Sequence, residues 1–356
     1  MKKYLFFVTL TMVTLLTSCS KDDSDAPVSK VYFTTWNQCD ALTVLQGYVE
    51  DVTNPNSPNF IKEEDRIATF DMDGTFLAEL YPTYFEYNML EYRALDDPTY
   101  RDKAPEDVRE AAQDIRDFVR KGTPLPANFD MKHARAAAKA YAGMTISEFD
   151  KYVKDYAAKP ANGFVGMTYG EGIYKPMLDV FEYLKDKGFT SYVCSGSDRF
   201  ICRALVDSYN IFEPNRVIGM DVMLNTNMQS NVAGVNYSMG KEEYLVRSDS
   251  LLIKNLKTNK VRQIIQEIGK MPVLSFGNSS GDQAMHNYCL SNPKYRTAVF
   301  MLVADDDARD HASLTEAAKR EAKWREAGYN VISMKNDFKT IYGPNVQKVD
   351  FVFPSN

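Results

Sequence analysis

The chain has 356 residues, 44% of them hydrophobic and 25% charged, an ordinary globular balance with length for one large domain or two. A net charge of −6 and the absence of any long basic run are not the footprint of a nucleic-acid binder, so no nucleic-acid partner is expected. The amino terminus reads as an address. Lys2 and Lys3 precede an apolar stretch over residues 4–16, shorter than the ~20 residues of a membrane span and fitting a signal-peptide core. Residues 20–30 are polar and read as a flexible tether.

Leu16-Thr17-Ser18-Cys19 resembles a bacterial lipobox. The resemblance implies a signal peptide over residues 1–19, cleavage before Cys19, and lipidation of Cys19 as a membrane anchor outside the cytoplasm. Lys21-Asp22-Asp23 resembles the acidic export signal of some surface lipoproteins, which leaves periplasmic face and cell surface both open. Four cysteines remain. Cys194 and Cys202 fall in an expected core strand and the helix after it and read as buried thiols. Cys39 and Cys289 fit either a disulfide or a free thiol in an oxidising compartment.

A helical pattern over residues 40–52 ends at Asn54-Pro55-Asn56-Ser57-Pro58. The apolar, partly β-branched run Ile67-Ala68-Thr69-Phe70 then reads as a buried strand, and Asp71-Met72-Asp73-Gly74-Thr75 falls where it should end. Ligand crevices of open α/β sheets lie at the carboxyl ends of strands, so Asp71 and Asp73 are expected to face a site. Two like charges at ~4 Å repel by roughly 4 kcal/mol at an effective dielectric of ~20. A site that also admits a phosphate therefore needs a cation and a lysine.

Helical periodicity dominates from residue 82 to about 161. Val108, Ala111, Ile115, Phe118 and Val119 share one face before Gly122, and Thr145 with Glu148 form a capping box. That length exceeds what one crossover needs and reads as a helical insertion. Tyr81, Tyr84 and Tyr87 lie at its start, with core packing as the default. A helix with Pro176 near its start and Met177, Val180, Phe181 and Leu184 inside stops at Gly188. A strand over residues 190–194 leads into Ser195-Gly196-Ser197, placing a hydroxyl and N–H groups at the next helix N-terminus, where anions bind.

Residues 216–224 read as a strand, and 225–253 as an unassigned, mixed excursion. Lys260 opens a helix with Val261, Ile264, Ile265 and Ile268 inside, and Lys257 competes with Lys260 for the lysine role. A strand over residues 273–276 leads into Gly277-Asn278-Ser279-Ser280-Gly281-Asp282, whose Asn278 and Asp282 supply hard oxygen ligands suited to Mg²⁺. Residues 298–304 and 330–334 read as further strands, and Asp305-Asp306-Asp307 as a solvated loop. His133, His286 and His311 have no metal-ligand spacing and are assigned no role.

In order and spacing, Asp71/Asp73, Ser195, Lys260 and Asn278/Asp282 resemble the haloacid dehalogenase superfamily in its phosphatase branch, near a phosphoserine phosphatase-like subgroup. The resemblance spans most of residues 31–342. It implies a doubly wound, mostly parallel Rossmann-like α/β sheet over residues 31–81 and 169–356, with a helical cap over residues 82–168. It also implies a Mg²⁺-dependent hydrolase of small phosphomonoesters. In that reading Asp71 is the nucleophile and Asp73 the acid and base. Ser195, Gly196 and Lys260 hold phosphoryl oxygens, and Asp71, Asp73, Asn278 and Asp282 bind the metal. Glu79 sits where related enzymes touch substrate, and equally reads as a hinge acid. A binding lipoprotein without catalysis, and a phosphotransferase or pyrophosphatase, are the alternative functions.

Overall fold

The structure, a computed structural model, describes residues 30–353. Nine strands are described: β1 (Ile67–Phe70), β2 (Phe164–Val165), β3 (Thr190–Asp198), β4 (Val217–Thr226), β5 (Leu245–Ile253), β6 (Leu274–Gly277), β7 (Ala298–Val303), β8 (Asn330–Ser333) and β9 (Gln347–Lys348). Seven form one sheet in the order β5-β4-β3-β1-β6-β7-β8, parallel except for the edge pair β4–β5. The fold is a doubly wound, mostly parallel α/β sheet, as the strand and helix alternation implies.

β1 lies at its centre because every one of its residues is buried, which suits a strand covered on both faces. Phe70 stacks on Phe276 at 4.5 Å between ring centroids, and Phe276 on Phe300 at 5.1 Å, so one aromatic layer crosses β1, β6 and β7. From β1 the chain goes first to β3 on one side and later to β6 on the other. This reversal opens the sheet's crevice beside the carboxyl end of β1.

The helices in chain order are α1 (Asp40–Thr53), α2 (Phe85–Leu95), α3 (Glu106–Lys121), α4 (Phe129–Ala140), α5 (Ile146–Ala157), α6 (Lys175–Asp186), α7 (Arg199–Asp207), α8 (Thr258–Glu267), α9 (Gln283–Leu290), α10 (Leu314–Glu326) and α11 (Met334–Asp337). α2 to α5 lie between β1 and β3 in chain order, over the stretch read as a helical insertion. The Thr145 capping box is present at α5, and α3 buries Val108, Ala111 and Ile115. Phe118, expected on that same face, is 39% exposed.

The insertion is tied to the sheet. Gly143 donates its N–H to the Arg247 carbonyl and Arg247 its N–H to Met144, both at 2.8 Å, so the segment between α4 and α5 borders β5. The Arg247 guanidinium is fully buried, lies 3.8 Å from the Phe149 ring centroid and pairs with Asp198 at 2.6 Å. Thus the unassigned excursion contains β5, the antiparallel edge that receives the inserted helices.

Three further expectations are corrected. β3 does not stop at Cys194: it runs to Asp198 with a register shift over Ser195–Ser197. The N-terminus of α7 is consequently capped by the Asp198 carboxylate, which accepts from Phe200 N–H at 2.9 Å, rather than left for an anion. In α8, Ile265 is 52% exposed while Lys260, Gln263 and Ile264 are buried, because the inward stripe is set by the site beneath it. Cys39, Cys194, Cys202 and Cys289 are all free thiols. Among the described residues no helix is long and apolar enough to cross a membrane, and residues 1–29, with Cys19 and the lipobox, lie outside the described residues.

Candidate active site

β1 delivers Asp71 to the crevice, and its N–H is held by the Phe276 carbonyl of β6 at 3.0 Å. Opposite stands Lys260 on α8. Its side chain is fully buried and bridges Asp71 Oδ1 at 2.6 Å and Asp282 Oδ1 at 2.7 Å. The second oxygen of Asp282 accepts the N–H groups of Asn278 and Ser279, at 3.1 and 3.0 Å, and the Ser279 hydroxyl. Burial alone would raise the Asp282 carboxyl, but Lys260 and these donors outweigh it and hold it below its usual value. Asp71 goes the other way, to about 7, because burial and the Asp282 charge outweigh Lys260. Lys257 is exposed at the cap of α8, so the lysine that meets both acids is Lys260.

Asp73 is carried by a turn that Gly74 makes at φ +74°. A Cβ at Gly74 would collide with the Asn278 amide and the Glu79 carboxylate, so both conformation and space demand glycine there. Ser197 donates to Asp73 Oδ2 at 2.8 Å, while the buried Oδ1 has no hydrogen-bond partner. Burial, then the Asp71 charge, push Asp73 up to about 8. Gly196 and Ser197 line the cleft. Ser195 does not: it is fully buried, with its hydroxyl accepting from Ser197 N–H at 3.1 Å.

Asn278 lines the cleft at the end of β6 and turns its amide nitrogen to Glu79 Oε2 at 2.8 Å. Glu79 is buried behind it, reached by Arg320 at 3.5 Å, and raised chiefly by burial. Glu79 thus meets the site through Asn278 rather than at the cleft surface. An amide is the physical answer to this neighbour, since it offers a donor to Glu79 and keeps an oxygen for the cleft.

The far wall comes from the insertion. Tyr84, Glu86 and Tyr87 at the start of α2, and Asp130 at the start of α4, line it with Lys254 from the end of β5. Lys254 donates to Glu86 Oε1 at 3.1 Å, and Glu86 Oε2 accepts Asp198 N–H at 3.0 Å. His133, given no role from sequence, sits fully buried 3.5 Å from Glu86, and burial holds it neutral with a pKa near 4. Sequence reasoning missed Ser197, Glu86, Lys254 and Asp130. Only Ser197 had a local signal, as the second hydroxyl of the Ser-Gly-Ser step. Asp305, Asp306 and Asp307 pair with Ser333, Arg309 and Lys348, so they are engaged locally and stand apart from the cleft.

Among the described residues no group of three or more His, Cys, Asp and Glu side chains forms a ready metal site. The oxygen-bearing residues that line the cleft beside Lys260 include Asp71, Asp73 and Asn278. Asp282 stands behind them, already engaged by Lys260. All offer hard oxygens, a set that fits Mg²⁺ and not a thiophilic metal.

No protein-family model and no curated protein matches this chain. Among solved structures it is similar to a conserved protein of unknown function from Anaerococcus prevotii, with a TM-score of 0.50 and 14% identity over 87% of this chain and 98% of that one. It is also similar to a phosphoserine phosphohydrolase-like protein from Francisella tularensis, with a TM-score of 0.41 and 13% identity over 75% and 94%. A third is a haloacid dehalogenase family hydrolase from Salmonella enterica, with a TM-score of 0.39 and 14% identity over 77% and 68%. The first of these likenesses speaks to the fold alone, and the chemistry rests on the cleft.

Proposed function

We propose that this chain is a Mg²⁺-dependent phosphomonoester hydrolase of the haloacid dehalogenase phosphatase branch, anchored outside the cytoplasm through a lipid on Cys19. The observation that carries the reading is a division of labour between two acids in one cleft. Asp71 is held against a buried cation, and Asp73 against a neutral hydroxyl.

In this mechanism Asp71 attacks phosphorus as the P–O bond to the leaving alcohol breaks, and an aspartyl phosphate forms. Asp73, protonated near neutral pH by its raised pKa, gives its proton to the leaving oxygen. Water then attacks phosphorus, Asp73 takes back a proton, and inorganic phosphate leaves Asp71 free. Lys260 fixes the Asp71 carboxylate and, with Gly196 and Ser195, is assigned to the phosphoryl oxygens. For Ser195 this requires its hydroxyl to leave the Ser197 N–H. Ser197 keeps Asp73 oriented. Asp71, the Asp73 carbonyl, Asn278 and Asp282 would hold Mg²⁺, which would supply charge neutralisation for the incoming phosphate.

The test is phosphate release from an aryl phosphate such as p-nitrophenyl phosphate. Release is expected with Mg²⁺, lost in excess chelator and restored by added Mg²⁺. No release under any of these conditions sinks the reading.

Asn278→Asp tests the metal assignment separately. It sets a new carboxylate against Glu79, a repulsion of roughly 4–6 kcal/mol at an effective dielectric of ~20 before either group takes up a proton. The variant is expected to melt lower than wild type in chelator and to regain most of the loss with Mg²⁺. Adding Glu79→Gln should remove the deficit in chelator. Equal melting of Asn278→Asp with and without Mg²⁺ would count against a cation at residue 278.

A further inference from the structure

The far wall of the cleft must receive whatever alcohol leaves when phosphate is cleaved, so its charges describe the substrate. This step rests on the phosphatase reading of the same cleft. The cavity is a small cleft of about 80 Å³ that opens to solvent.

Lys254 is the one cation among its lining residues, and Lys254 is already matched. Its ammonium sits on Glu86, both side chains are under a tenth exposed, and the other Glu86 oxygen is filled by Asp198 N–H. The pair is a neutral, satisfied piece of wall. His133 beside it adds no charge, since burial keeps its ring neutral.

What remains unmatched is Asp130. It is exposed at the cleft mouth, and among the described residues its one partner is the Tyr87 hydroxyl at 3.2 Å. Next to it stand two tyrosine rings with centroids 5.2 Å apart and planes at 83°. Tyr84, the outer of the two, is 36% exposed. Tyr87 is buried, its ring packed on His133 at 4.3 Å and on Phe129 at 5.4 Å, so it meets Asp130 through its hydroxyl, and of the two rings it is Tyr84 that offers exposed aromatic surface. A carboxylate beside an exposed aromatic ring attracts a cation and repels an anion. On the phosphoryl side Asp71 and Asp282 are already bridged by the Lys260 ammonium, so the unpaired carboxylate that faces the leaving group is Asp130.

We propose that the substrate is a small phosphomonoester whose leaving alcohol carries a positive charge, an aminoalkyl phosphate, with Asp130 and Tyr84 receiving the ammonium group and the Tyr87 hydroxyl orienting Asp130. The wall selects for charge.

The experiment compares kcat/KM for 2-aminoethyl phosphate, its neutral isostere n-propyl phosphate, and the anionic phosphoglycolate, with p-nitrophenyl phosphate as the generic control. The amino ester is expected to be favoured over the propyl ester by at least about tenfold, and phosphoglycolate to be the poorest of the three. In Asp130→Asn and in Tyr84→Leu the amino-to-propyl ratio, taken within each variant, should fall toward one. Equal or better use of the propyl ester or of phosphoglycolate overturns the proposal, and so does a ratio unmoved in both variants. Should no ester, p-nitrophenyl phosphate included, be hydrolysed, the phosphatase reading has failed. Calorimetric binding of the amino and propyl esters to the wild-type protein with Mg²⁺ then decides the cation site by the same ratio.

Discussion

Asp71→Asn is expected to lower phosphate release by at least about 10⁴-fold in kcat, the scale on which enzymes lose a nucleophile. The amide keeps an oxygen at the position where Lys260 donates at 2.6 Å, so the Lys260 bridge to residue 71 and to Asp282 can persist. The variant should therefore fold, and its thermal midpoint should stay within a few degrees of wild type. Loss of turnover without loss of fold is the signature of a group that attacks phosphorus rather than one that supports the core. A folded Asp71→Asn protein that retains turnover within tenfold of wild type would remove Asp71 from the chemistry.

Lys260→Met is expected to cost stability as well as turnover. It leaves Asp71 and Asp282 facing each other at no more than a tenth exposure, with their shared cation gone. Removing one partner of a buried charge network costs about 3–5 kcal/mol. Denaturant unfolding at pH 7.5 should show a loss of this size. The pH dependence has a definite sign. Asp71 titrates at about 7 in the fold against 3.8 unperturbed, and without Lys260 it rises further, so it takes up a proton on folding. A carboxyl raised in this way favours the folded state more as pH falls, so the deficit should shrink toward pH 5. Lys257→Met, on an exposed cap position, should stay within about 0.5 kcal/mol of wild type. Equal stability and activity of the Lys260 and Lys257 variants would show that the bridge contributes nothing.

The sheet and its acids were legible for a local reason. A short apolar run followed at once by Asp71 and Asp73 places both acids at a strand end whatever the rest of the chain does. The Lys260 helix and the Asn278 to Asp282 turn carry similar short-range signals. Where reading failed, the deciding contacts were distant. Ile265 fits a helical stripe as well as Lys260 does. The inward side of α8 was settled by Asp71 and Asp282 pulling an ammonium beneath the sheet's edge. Ser195 and Ser197 look equivalent in sequence, and the register shift of β3 over Ser195–Ser197 goes with the second hydroxyl meeting Asp73. Glu79 gave no sign that it would meet the cleft only through Asn278.

By itself, then, the order of residues determined the fold class, the position of the paired acids and the demand for a lysine beside them. Each follows from side-chain periodicity or from like charges that need a counter-charge nearby. Only the tertiary structure decided what else the acids face. Glu86, Asp130 and Lys254 come from two helices and an edge strand far apart in the chain, joined by the Arg247–Asp198 pair and the Lys254–Glu86 pair. No local pattern encodes that wall, because its charges acquire meaning from the neighbours that folding brings to them.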